Sequence, residues 1–113
     1  MFGGYEKTFN YQLSSELLKA AMNEAVDRYL ALHQNVFPTG RQDSSIELKV
    51  QKSYVSRGET MIVSVQDCTV RVASKFIDSS PQSNIVWIKN WHNVAKLNAY
   101  MREAVQELSC SMA

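Results

Sequence analysis

The chain has 113 residues, enough for one domain spanning 1–113. Hydrophobic residues make up 45% and charged residues 20%, a balance that fits a folded globular protein and excludes a disordered one. Twelve Lys and Arg against eleven Asp and Glu leave a net charge of +1, too little for a whole-domain electrostatic grip on nucleic acid or anionic lipid.

No apolar run approaches the roughly 20 residues that a helix needs to cross a bilayer, so no transmembrane segment is expected. Met1-Phe2-Gly3-Gly4 opens without a basic or apolar leader, and a secretory signal is not expected in this chain. The default location is then cytoplasmic, or periplasmic for a trimmed mature fragment. Cys68 and Cys110 are the two cysteines, read as free thiols rather than a disulfide framework. Without a CxxC or a Cys/His cluster, no metal site and no cofactor are implied.

Tyr5 to Tyr11 alternates, with Tyr5, Lys7, Phe9 and Tyr11 on one side, which predicts a short strand. Ser14-Ser15-Glu16 reads as a helix start, because a Ser oxygen accepts from free first-turn N–H groups and Glu16 suits the positive helix end. Leu18, Met22, Ala25, Tyr29 and Leu32 then recur at spacings of four and three, one apolar stripe. The helix should end before Pro38, and residues 38–44 read as a polar loop. From Ser45 to Val55, Ile46, Leu48, Val50 and Tyr54 alternate with polar residues, as in a strand with one wet face. Gly58 in the following turn is free to take a positive φ.

Between Thr60 and Ile77 the apolar parity changes. Met61, Val63 and Val65 are odd, while Cys68, Val70 and Val72 are even. A two-residue connection at Gln66-Asp67 puts both sets on one face, with Val65 opposite Cys68, Val63 opposite Val70 and Met61 opposite Val72. A bulge in one long strand is the rival account. Asn84 to Lys89 reads as a further strand, with Asn90 or Asn93 capping a last helix. Val94, Leu97, Met101, Val105 and Leu108 form that helix's apolar stripe.

The expected fold class is α+β: an antiparallel sheet of four or five strands with two helices packed on one face, in the order β-α-β-β-β-(β)-α. Glu47, Lys49, Gln51, Arg71 and Lys75 should line the wet face, with Ile62 the apolar misfit among them.

Candidates for chemistry are few. His33 reads as a solvated residue and His92 as a polar residue at a helix start, neither beside a nucleophile motif. Trp87, Trp91, His92 and Asn93 are the densest group able to meet a ligand or partner. Lys49, Arg57, Arg71 and Lys75 form a mixed basic strand face, interrupted by acids.

The helix–strands–helix order resembles double-stranded-RNA-binding domains, where basic residues at the start of the last helix grip phosphate. Here Lys89 to Lys96 holds two lysines and no basic cluster, so nucleic acid is disfavoured as a partner. Thr69-Val70-Arg71-Val72 followed by Trp87 through Asn93, over about residues 8–108, resembles small bacterial envelope domains of the helix-grip or BamC-like lipoprotein kind. That resemblance implies a non-enzymatic envelope binding or assembly module and transfers no catalytic residue; a lipobox Cys is missing. The leading expectation is a non-catalytic module that contacts a protein partner or a second copy of itself, through Ile62, a strand edge and the Trp pair. The alternative is a small-ligand pocket between the last helix and the sheet, lined by the Trp pair and His92. RNA binding on the wet sheet face comes third.

Overall fold

A computed structural model describes residues 4–51, 58–76 and 84–111. Seven elements follow in chain order: β1 (Gly4–Asn10), α1 (Ser15–Leu32), β2 (Val36–Arg41), β3 (Ser45–Val50), β4 (Glu59–Gln66), β5 (Thr69–Phe76) and α2 (Asn84–Ser111). The strands form one antiparallel sheet in the order β1-β5-β4-β3-β2, so β1 and β2 are its two edges. The α+β class and the placement of both helices on one sheet face hold.

The alternation of apolar residues explains the sheet's inner face. Ile46, Leu48 and Val50 of β3, Met61, Val63 and Val65 of β4, and Val70 and Val72 of β5 are all buried. They meet Leu18, Met22, Val26 and Tyr29 of α1 and Val94, Leu97 and Met101 of α2 in one continuous core. Ser14 caps α1, its Oγ accepting from the Leu17 N–H at 3.4 Å. Arg28 joins the helices, pairing with Glu24 on its own helix and with Glu103 and Glu107 on α2. Gly58 has φ 114, the positive value its turn requires.

Several sequence expectations need correction. The stretch read as a loop from Pro38 is the edge strand β2, paired to β3 with a register irregularity between Pro38 and Gly40. After the buried Val36, every residue of β2 is exposed, so no apolar alternation marks it. Pro is tolerated there because an edge strand has one side with no ladder to donate to. The β4–β5 hairpin is present, but its turn is Asp67-Cys68, with Asp67 at φ 54. Val65 therefore faces Val70, Val63 faces Val72 and Met61 faces Ser74. The slip is by two residues, which preserves the face assignment.

Asn84 to Lys89 is helix, the opening of the 28-residue α2, and not a strand. A short apolar run carries no period that separates the two states. The fifth strand is β2 instead. Asn90 and Asn93 accordingly lie inside α2 and do not cap it. Leu32, placed in the stripe of α1, is 67% exposed at the helix end. The strand expected from Ser45 to Val55 is described as far as Val50, and Tyr54 and Arg57 lie outside the described residues.

Candidate functional site

Helix α2 runs past β5 to β1, which covers that edge strand only in part. The inner face of β1 presents Tyr5, Lys7 and Phe9, as its register opposite Ser74, Val72 and Val70 dictates. From α2, Trp91, Ala95, Asn98 and Arg102 follow at spacings of four, three and four, a single helical stripe facing β1. The small side chains of Ala95 and Ala99 leave room between them, and the result is a groove of about 220 Å³. Tyr5 and Phe9 pack partly against the core, and Trp91 is 42% exposed.

Three polar side chains, those of Lys7, Asn98 and Arg102, line this groove beside Tyr5. None of its described lining residues is acidic. Lys7 holds its Nζ over the Phe9 ring, 5.5 Å from the centroid. Among the described residues neither Lys7 nor Arg102 has a carboxylate partner. Asn98 is 8% exposed, and its Oδ1 is buried with no hydrogen-bond partner. The Tyr11 hydroxyl is likewise buried and unpartnered, and burial pushes its pKa up while the positive charge of Arg102 pulls it back.

On the sheet-facing side of the same helix the polar groups are matched. Glu59 of β4 is fully buried (0% exposed), as are Ser74 of β5 and Asn90 of α2; Asn93 is nearly so. Asn93 Nδ2 donates to Glu59 Oε1 at 2.8 Å and to Ser74 Oγ at 3.1 Å. Ser74 Oγ donates to Asn90 Oδ1 at 2.7 Å. An amide oxygen is no base, so this arrangement does not activate the Ser74 hydroxyl as a nucleophile. It ties α2 to β4 and β5. Tyr29 stands close by, its pKa raised by burial first and then by the negative charge of Glu59 and by Tyr100.

The candidates from the sequence are therefore scattered. Trp91 forms one wall of the groove. His92 is exposed, its ring centroid 5.0 Å from that of Trp91, and it is not among the groove's lining residues. Asn93 points the other way, into the buried polar cluster. Trp87 lies in the first turns of α2, where side chains fall outside the described residues. Ile62 sits half-buried on the outer sheet face, in a shallow dimple of about 60 Å³ with Ser64, Arg71 and Ala73. It shares no surface with Trp91. On that face Glu47, Lys49, Gln51, Arg71 and Lys75 are exposed, and Arg71 pairs with Glu6.

His33 is not simply solvated. It is half-buried and stacks on Tyr29 at 4.4 Å between centroids; burial and then the charge of Lys96 lower its pKa. Cys68 is exposed and free, while the Cys110 side chain lies outside the described residues. Among the described residues no group of three or more His, Cys, Asp or Glu gathers to hold a metal, and no helix is long and apolar enough to cross a membrane.

Sequence reasoning missed Glu59, Asn98 and Arg102 as site residues. Glu59 has the odd parity of Met61, Val63 and Val65, which marks it as an acid facing the core. Asn98 and Arg102 lie seven and eleven residues after Trp91, on its own helical stripe.

The architecture is an antiparallel sheet closed on one face by two helices, with a groove where the last helix meets an edge strand. No protein-family model matches the chain, and no curated protein matches its sequence. Among solved structures, the crystal structure of Ara h 8.0201 is similar to it at a TM-score of 0.48 and 8% identity, covering 96% of this chain and 97% of that one. No residue role comes from that likeness.

Proposed function

We propose that this protein is a binding domain whose site is the groove between β1 and α2, taking a small, largely apolar molecule. The observation that carries the reading is the groove itself: Tyr5, Phe9 and Trp91 offer aromatic surface around an unfilled space of about 220 Å³. Aromatic and apolar walls with a few convergent polar groups are the usual make-up of a ligand site. Trp91 lines the groove, His92 does not, and β1 supplies the opposite wall.

Nuclear magnetic resonance titration of the full chain with a neutral aryl probe, phenylbutyramide, tests the reading. Shifts should concentrate on Tyr5, Phe9, Trp91 and Val94, and Trp91→Ala should weaken binding about tenfold. Absence of shifts at these residues, with this probe and with its acid, rejects the groove as a site.

A second reading is contact with another protein or a second copy, of the assembly kind that the envelope-domain resemblance implies. Its support is Leu32 at 67% and Phe37 at 44% exposure, where α1 ends and β2 begins, together with the open sheet edges β1 and β2. Sedimentation over a wide concentration range tests it; a strict monomer removes self-association.

A further inference from the structure

We infer that the molecule taken by the groove is a small amphipathic carboxylate, its acid group held by Lys7 and Arg102 and its apolar body against Phe9 and Trp91. The inference rests on the binding reading above and names the chemistry of its ligand.

Charge pairing at the other described arginines and at Lys19 sets the contrast for Arg102, while Lys49, Lys75 and Lys96 are, like Lys7, in no ion pair among the described residues. Lys19 meets Asp43 at 2.7 Å, Arg41 meets Asp27 at 2.7 Å, Arg28 meets Glu24, Glu103 and Glu107, and Arg71 meets Glu6. Lys7 and Arg102 come from different elements, face the same groove, and have no such partner among the described residues. Two cations lining a groove that holds no acid among its described lining residues favour an anion there over a neutral molecule. Arg102 offers a planar fork suited to both oxygens of a carboxylate, while the Lys7 ammonium adds a point charge already seated over Phe9.

The walls choose the rest of the ligand. Aromatic surface on Tyr5, Phe9 and Trp91 favours a ring or alkyl body. The groove is smaller than the roughly 300–1,000 Å³ of drug-sized pockets, which limits that body to about one ring and a short chain. The orphaned Oδ1 of Asn98 lies in the same wall.

The test compares phenylbutyrate with phenylbutyramide, which match in shape and differ in charge, by resonance titration of the full chain at low and high salt. The acid should bind about tenfold more tightly than the amide, with both mapping to the groove. Salt should erode the acid's advantage and leave the amide unchanged. Lys7→Gln and Arg102→Gln should each remove part of the preference and together most of it. Both positions are exposed, and undisturbed spectra of the variants confirm that they fold. Equal affinities for acid and amide at the groove overturn this inference and leave the binding reading standing. No groove shift with either compound overturns both.

Discussion

Helix α2 has polar residues on two of its sides, and they live in opposite circumstances. Toward β4 and β5, Asn90 and Asn93 are buried and hydrogen-bonded to Ser74 and Glu59. Toward β1, Asn98 leaves an oxygen unpaired and Arg102 has no carboxylate partner among the described residues. On the proposed reading, the difference separates structure from function. A buried amide that finds its partners inside the protein fixes where a helix sits. An exposed cation without a carboxylate partner, such as Arg102, does not tie the helix to the sheet and stays available to an incoming group.

Asn93→Ala is the severest test of this contrast. It strips a donor from a fully buried carboxylate, and should cost about 3 kcal/mol of unfolding free energy in urea denaturation. A loss below about 1 kcal/mol would mean that the cluster does not hold α2 in place. Trp91→Ala comes next. It should weaken ligand binding about tenfold while costing under about 1 kcal/mol of stability, because the ring is 42% exposed. An equal fall in both would make Trp91 a core residue and not a binding wall.

Asn98→Ala should change stability by less than about 1 kcal/mol, since it removes an orphaned oxygen along with the packing it deletes. A cost as large as that of Asn93→Ala would erase the distinction between the two sides. The smallest effect concerns His33. Its folded pKa lies below the ordinary value, so the unfolded chain binds the proton more readily. Its contribution is then present above about pH 6.5, the unfolded value, and is lost as pH falls from there through the folded pKa. Unfolding measured at pH 7.5 and 5.5 should show a shallower decline for His33→Gln than for the natural chain.

The inner sheet face was legible because burial on one side imposes a period of two on β3, β4 and β5. Parity survived even where the hairpin register was two residues off. Strand β2 was hidden by its exposure, since no apolar alternation is required where neither face is covered after Val36. The start of α2 was hidden for the reverse reason: Ile85-Val86-Trp87-Ile88 is apolar throughout and carries no period. At the site, the aromatic residue Trp91 was visible, but its partners were not. Lys7 and Arg102 stand 95 positions apart in the chain, and nothing local in either signals the other.

Composition and periodicity by themselves determined an α+β fold, its inward strand faces, the start of α1 and the apolar stripe of α2 through Met101. These are local consequences of which residues prefer to leave water and at what spacing. Only the tertiary structure decided that β1 closes on β5, that Asn93 turns inward while Asn98 is left unmatched, and that a groove opens beside Trp91. Those outcomes depend on how closely a long helix approaches an edge strand, a distance set by the whole packed core at once.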